Sequence, residues 1–486
     1  MLPLYSVNHG CARVSNKPHE GQMNTTATAL QRIERIIVVI MENRSFDHVL
    51  GYLSLPGGRT DVEGLGDEAW RMAHANPGEV GSVPPFALTR MEIPDPPHER
   101  DPIALQLGRV PGGPEPMRGF VRSYEQRPAA PDDPSLVMGF YRGPQVPMAD
   151  FFAREFLICD HWFASLPTGT QPNRLMAMGG TTSIDTNARL LLPNQDLVYD
   201  WLERANVRWR VYHQGALPFF ALMPKWQSGI AEGLAVDFLG IHTKFRRYEH
   251  FERDFYGDPT LPPVIFVEPE YTDGPHRAPN DDHPPTSIAI GQAFLYSIYC
   301  ALMKRPDRWA KTLMVVTYDE HGGFFDHVAP LAVRTPPPLG YAYQPFDTSG
   351  VRVPAFLVSP FAKRGGVFSG PLDHTSLLTL LADRFTPGRE YSDAVAHRSA
   401  EVLSARLVDV LLTESRRDLP VPSPVAAMTP PQLIPPQASM SGAETVGTAA
   451  NAAAFRTAAR TLVEDQPLAR AQLIPEIGHL IGTETP

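Results

Sequence analysis

A chain of 486 residues, 43% hydrophobic and 20% charged, has an ordinary soluble globular composition, which excludes wholesale disorder and leaves room for one large domain or two modest ones. Its 43 basic and 53 acidic residues give a net charge of −10. That argues against nucleic acid as the main partner, because phosphates call for a basic face.

No apolar run approaches the roughly 18 residues of a membrane span. Proline is the outlier: 51 of 486 residues, about twice the usual share, imply long ordered loops or tails around a regular core. The segment Met1 to Gln22 is polar and patternless, with no basic stretch leading into an apolar one. No secretion signal is visible, and the chain as given reads as cytoplasmic, with Met23 a candidate alternative start. Residues 1–32 are expected to be poorly structured, 33–412 to form one domain and 413–486 a Pro/Ala-rich extension. The three cysteines, Cys11, Cys159 and Cys300, are too sparse for a disulfide framework, and no two have metal-ligand spacing. Cys159 and Cys300 are expected as buried thiols.

The predicted elements begin with Ile36-Ile37-Val38-Val39-Ile40-Met41, a mostly β-branched run suited to a strand covered on both faces. Ser45 can cap a helix from Phe46 to Leu53. Residues 56–134 are dense in Pro and Gly and read as a loop-rich insertion shaping a cleft. Ala149 to Trp162 is expected as a helix, Arg208 to His213 as a strand, and Pro263 to Val267 as a buried strand. Thr286 to Met303 has helical period. Leu313 to Tyr318 and Val353 to Val358 are further core strands. A helix from His374 to Phe385 opens at Asp373, and Ala-rich Glu444 to Glu464 is expected as a peripheral helix. Strands alternating with helices predict an α/β sandwich on a mostly parallel sheet.

The chain lacks a G-x-S-x-G elbow, an H-E-x-x-H pair and a P-loop. What it carries are polar clusters at the expected C-terminal ends of strands, where α/β sheets bind ligands. Glu42 and Asn43 follow the first strand, and Asp319-Glu320-His321-Gly322-Gly323 follows Tyr318. Three carboxylates and an amide are hard ligands for a divalent cation such as Mg²⁺, Ca²⁺ or Mn²⁺, and without a cation they would repel. Asp-His occurs five times, at Asp47-His48, Asp160-His161, Asp282-His283, Asp326-His327 and Asp373-His374. A neighbouring carboxylate raises imidazole basicity and orients the ring, so at most three of these pairs are expected to be functional. In Ser165-Leu166-Pro167-Thr168-Gly169-Thr170-Gln171-Pro172-Asn173-Arg174, a tight turn leads into a helix. A hydroxyl there faces exposed N–H groups, which makes Thr170 a candidate nucleophile and Arg174 a support for the turn. Phe219, Phe220, Trp226 and Tyr248 are candidates for an apolar substrate wall, although aromatic residues in loops more often simply pack.

Four motifs occur in order: Met41-Glu42-Asn43-Arg44-Ser45-Phe46-Asp47-His48, Thr170-Gln171-Pro172-Asn173-Arg174, Asp281-Asp282-His283-Pro284-Pro285, and Tyr318-Asp319-Glu320-His321-Gly322-Gly323-Phe324-Phe325-Asp326-His327. With them the sequence resembles the bacterial phosphoesterase family of phospholipases C and related acid phosphatases, of the alkaline-phosphatase-like superfamily. Gln171 stands where phospholipase-like members often have asparagine. The resemblance covers about residues 33–412 and implies a three-layer α/β sandwich. It implies one divalent ion (Mg, Ca, Mn or Zn) held by Glu42, Asn43, Asp319 and Glu320 and completed by Thr170. It also implies that Asn43, His98 and His283 bind the substrate phosphate and that His98, His283 and His327 join Thr170 in catalysis. The implied substrate is a phosphate ester or phospholipid, cleaved through a phospho-threonine, with phosphomonoester hydrolysis at the same site as the alternative. A non-catalytic protein that binds phosphorylated ligands is the alternative of another class. Many relatives are exported, so the resemblance admits a secreted or periplasmic location.

Overall fold

Eight strands build one sheet in the computed structural model: β1 (Arg35–Met41), β2 (Leu157–Cys159), β3 (Trp209–His213), β4 (Phe245–Arg247), β5 (Val264–Glu268), β6 (Thr312–Tyr318), β7 (Ala355–Val358) and β8 (Gly366–Phe368). The structure describes residues 30–422 except 80, 129–130, 189, 238–240, 272–277 and 403–405, and also 446–465 and 477. Cys11, Met23 and most of the proline-rich stretch from Leu419 to Ser441 lie outside the described residues.

The spatial order of the strands is β8-β2-β7-β6-β1-β5-β3-β4. All run parallel except β7, which is antiparallel to both β6 and β2. The β-branched runs explain the centre. Every residue of β6 and all but Arg35 of β1 are buried, so both faces of the sheet are covered. The helices include α1 (Phe46–Leu50), α2 (Arg100–Gln106), α3 (Pro147–Glu155), α4 (Thr170–Gly179), α5 (Ile288–Met303), α6 (Thr375–Phe385) and α7 (Val446–Asp465). Helix α3 packs on α5, and α4 packs on α6. The result is a three-layer α/β sandwich. Among the described residues no helix is long and apolar enough to cross a membrane.

Register positions the site. Met41 pairs with Tyr318 across parallel strands, so Glu42 and Asp319 leave the sheet side by side. The insertion at residues 56–134 carries short helices and two- or three-residue strands.

Two expected elements differ. The helix expected from Ala149 to Trp162 ends at Glu155, and Phe156 is extended (φ −133°, ψ −157°). The apolar run behind it is β2, claimed by pairing with β7 and β8. Apolar β-branched and aromatic residues suit either state, and the sheet decides. The helix expected from Phe46 to Leu53 tightens into a 3₁₀ turn at Gly51–Ser54. Ser45 caps it as expected, accepting the His48 N–H at 3.2 Å. Cys159 is buried, whereas Cys300 is only half-buried.

Candidate active site

The ends of β1 and β6 are stitched together by backbone. The Asn43 N–H donates to Asp319 Oδ1 at 3.1 Å, and the Glu320 N–H donates to the same oxygen at 2.7 Å. Gly322 N–H donates to Glu320 Oε2 at 2.8 Å. Asn43 itself adopts a left-handed backbone (φ 61°), and Gly322 (φ 65°) passes so close that an added Cβ would lie 2.2 Å from the Asn43 carbonyl oxygen. Only glycine meets both demands, which accounts for the Gly of the Asp-Glu-His-Gly-Gly motif. Each carboxylate is thus held by one oxygen. Asp319 Oδ2, Glu320 Oε1 and Asn43 Oδ1 are buried without a hydrogen-bond partner.

Thr170 is the first residue of α4, after Gly169, and is fully buried. Asn173 shapes its turn. Its Oδ1 accepts the Leu166 N–H at 2.9 Å, and its Nδ2 donates to the carbonyls of Leu166, Thr168 and Gly169. The Gln171 N–H is taken by Asn187 Oδ1 at 2.8 Å. Thr170 Oγ1 is a fourth buried oxygen without a hydrogen-bond partner. Arg174 lies four residues on, hence on the same helix face. Its Nη2 is 3.1 Å from Glu42 Oε1, and its Nε is 3.6 Å from Asp319 Oδ2. Arg174 therefore bridges both strand ends and sets the Thr170 face of α4 against them. Sequence reasoning gave it only a supporting part in the turn.

The insertion delivers His98. Its Nδ1–H donates to the Pro96 carbonyl at 2.7 Å, and its Nε2 meets Asn43 Nδ2 at 3.2 Å. The His98 and His283 rings stand 5.6 Å apart, edge to face. The His283 Nδ1–H donates to the Pro284 carbonyl, and its Nε2 is buried without a partner. The Asp281 carbonyl accepts the Glu42 N–H at 2.7 Å, its carboxylate accepts the His283 N–H at 2.9 Å, and Asp282 accepts the Tyr318 hydroxyl at 2.6 Å. Gln106 of α2 holds His321 at 2.8 Å. Asp95, Gln106 and Asp281 were not singled out from the sequence, although Asp281 stands inside a quoted motif, and Asp282 was noted only as half of an Asp-His pair.

Burial dominates the electrostatics. It pushes the Glu42 carboxyl well up, with Asp319 adding to it. It raises Glu320 to about 8 despite His98, Asp281 well above the ordinary range, and Asp282 to about 7. Burial alone would depress His98, but Asp95, Glu320 and Glu99 outweigh it and raise the ring to about 9. Burial lowers His283, and His98 adds to that effect.

Four buried oxygens without partners, beside carboxyls that resist ionising alone, fit a hard divalent cation. Glu42, Asn43, Thr170, Asp319 and Glu320 are the residues of this cluster that could hold one. Among the described residues three other groups place Asp and His ligand atoms within 4.8 Å of one another: Asp95-His98-His283, Asp47-Asp326-His327 and His242-Asp254-Asp258. Glu42, Asp319 and Glu320 are not such a trio, and Arg174 pairs with two of them.

His327 stands in a different network. Its Nδ1 is 2.6 Å from Asp47 Oδ2, and its ring packs against Trp70. In none of the five Asp-His pairs does a hydrogen bond of the histidine run to its own aspartate. The ring partners are Gly139 and Arg44 for His48, Glu63 for His161, Pro284 for His283, Asp47 for His327, and Asp319 and Trp162 for His374. Adjacent residues point apart, so sequence adjacency did not predict contact. Of the aromatic candidates, Trp226 packs against Tyr199 and Trp209, Tyr248 against Phe251 and Phe294, and Phe220 against Tyr199. Phe219 packs against Arg174.

A sequence profile of the Phosphoesterase family matches residues 33–386. The chain is 31% identical over 416 residues to Non-specific phospholipase C6 of Arabidopsis thaliana, covering 81% of this chain and 75% of that one. It is 30% identical over 435 residues to Non-specific phospholipase C3 of the same plant, covering 80% of each. Phospholipase C A of Mycobacterium tuberculosis is 28% identical over 396 residues, covering 73% of each. Among solved structures, a protein of the alkaline phosphatase superfamily from Vibrio parahaemolyticus is similar with a TM-score of 0.31 and 14% identity, covering 51% of this chain and 62% of that one.

Proposed function

The chain belongs to the phosphoesterase family and is a phosphoric ester hydrolase, and from that premise we propose that it cleaves the headgroup phosphodiester of a phospholipid with Thr170 as nucleophile. The observation that carries this is that Asn43 Oδ1, Thr170 Oγ1, Asp319 Oδ2 and Glu320 Oε1 are all buried and none is hydrogen-bonded, with Arg174 of the Thr170 helix paired to both Glu42 and Asp319. A divalent ion bound by these residues with Glu42 supplies charge stabilisation and lowers the hydroxyl pKa of a bound alcohol. Thr170, at the N-terminus of α4, attacks phosphorus in line, and the helix dipole favours the oxyanion. Asn173 and Arg174 hold the turn and its helix against the strand ends.

The two histidines divide the work. His98 Nε2 lies 3.2 Å from the Asn43 amide nitrogen, so it orients Asn43. His283 Nε2 has no protein partner and, with Nδ1–H given to Pro284, is the nitrogen free to take the Thr170 hydroxyl proton and pass it to the leaving alcohol. Water then releases the phosphorylated headgroup from Thr170. His327, fixed to Asp47, acts at a remove from these groups. The relatives named phospholipase C favour a diester.

Thr170→Ala tests this. The variant should keep the wild-type circular dichroism spectrum and lose turnover of p-nitrophenylphosphorylcholine, and near-normal turnover would refute the assignment. Preference for p-nitrophenyl phosphate over the choline diester would identify a phosphomonoesterase instead.

A further inference from the structure

Arg174 spans Glu42 and Asp319, two buried carboxylates that repel each other. Its own position is set from the far side. The guanidinium lies 4.7 Å from the Phe219 ring centroid and 4.8 Å from that of Tyr271. Nη1 donates to the Tyr271 hydroxyl at 3.1 Å. Glu268, at the end of β5, accepts the Phe219 N–H at 2.6 Å.

Behind both rings stands Phe455 of α7. It stacks on Tyr271 (centroids 5.9 Å, planes 20° apart) and meets Phe219 edge-on (6.1 Å, 80°). Phe455 is 3% exposed, with Ala454, Ala458, Ala459 and Leu462 buried along the same helix. These small residues let α7 lie close against the 3₁₀ turn Phe219–Leu222 and the helix Pro224–Asp237. Helix α7 lies beyond the span 33–386 matched by the family profile.

We infer that Phe455 is a positioning residue of the active site: by bracing Tyr271 and Phe219 it fixes Arg174, and through Arg174 the spacing of Glu42 and Asp319. An arginine stem has many free torsions, and a guanidinium held only by two carboxylates and the Ile40 carbonyl could still follow either carboxylate. Two aromatic faces attract it and restrict it to one place. Phe455 in turn keeps those faces from turning away. A segment outside the family's matched span thereby becomes part of the catalytic support. The inference rests on the chemistry proposed above for Glu42 and Asp319.

The test uses the full chain. Phe455→Ala should lower kcat for p-nitrophenylphosphorylcholine about tenfold with KM little changed, because Phe455 touches no substrate. Mn²⁺ affinity, titrated without substrate, should weaken about fivefold because the carboxylates are no longer pre-positioned. Phe455→Tyr keeps the ring and should restore both. Leu462→Ala truncates the same helix. It should lower Tm by a similar amount and leave kcat and Mn²⁺ affinity unchanged. If Phe455→Ala does not fold, Phe455→Leu carries the test, with a loss of about threefold in kcat. Parallel losses in Phe455→Ala and Leu462→Ala would overturn the positioning role. So would wild-type kcat and Mn²⁺ affinity in Phe455→Leu. A wild-type chain that binds Mn²⁺ but leaves the ester intact would refute the functional proposal instead, and the Mn²⁺ titration would still decide for Phe455.

Discussion

Arg352 ties the insertion to the sheet, and Arg352→Met exposes how. The side chain is fully buried. Nε donates to Asp326 Oδ1 at 2.9 Å, Nη2 to Asp47 Oδ1 at 3.0 Å, and Nη1 to the carbonyls of Glu63 and Asp160 at 2.8 Å. At about 4 Å between charge centres and an effective dielectric constant of about 20, each carboxylate attraction is worth about 4 kcal/mol gross. Desolvation offsets most of that. Leaving two carboxylates buried without their cation costs about 3–5 kcal/mol net. With an unfolding entropy of about 2.1 cal/mol/K per residue, this 486-residue chain should lose about 3–5 °C in Tm at pH 7.

The pH dependence follows from the same groups. Burial acts to raise the Asp47 carboxyl, but His327 and Arg352 outweigh it and hold it below the ordinary range. Its wild-type contribution is present above the unfolded pKa and lost as pH falls through the lower folded one. Without Arg352, Asp47 and Asp326 take up protons more readily in the native state, so the variant's penalty should shrink from pH 7 to pH 5. Differential scanning calorimetry at the two pH values measures both effects. A shift under about 1 °C at pH 7, or a penalty that grows toward pH 5, would refute the reasoning.

Asn173→Ala removes four hydrogen bonds from the Thr170 turn. It should cost about 2–4 kcal/mol in urea unfolding and lower kcat by about a hundredfold, and unimpaired kcat would count against it. Burial pushes the Asp373 carboxyl up, but Arg398 and Thr375 outweigh it and hold it below the ordinary 3.8. This contribution exists above the unfolded pKa and is lost as pH falls through the lower folded value. The destabilisation caused by Arg398→Met should therefore be full at pH 7 and fade below about pH 4, whereas a pH-independent penalty would contradict it. Dialysis against EDTA should remove esterase turnover, and Mg²⁺, Ca²⁺, Mn²⁺ or Zn²⁺ should return it; full turnover in the chelated chain would contradict the cation site.

The sequence made the central strands legible because Ile36–Met41 and Leu313–Tyr318 are too apolar and β-branched to lie anywhere but under two layers. The polar residues that follow each run then had to meet at one sheet edge once the strands were adjacent and parallel. The reversal of β7 was not legible, since a buried antiparallel strand carries the same apolar pattern as a parallel one. The split of Ala149–Trp162 into helix and strand depended on which neighbours offered backbone partners. Long-range side-chain ties were also invisible: Arg174 to Glu42 and Asp319, Arg352 to Asp47 and Asp326, and Phe455 to Tyr271 each join residues whose spacing follows no local period. The left-handed backbone at Asn43 left its trace only in Gly322, nearly three hundred residues away.

The central claim is that Thr170 takes the phosphoryl group at a cation site built from two neighbouring strand ends. Acid quenching during turnover of p-nitrophenylphosphorylcholine, followed by peptide mass mapping, tests it most directly. The phosphorylcholine mass should appear on Thr170 in the presence of a divalent ion and vanish with EDTA. Label on another residue, or steady turnover with Thr170 never modified, would contradict it.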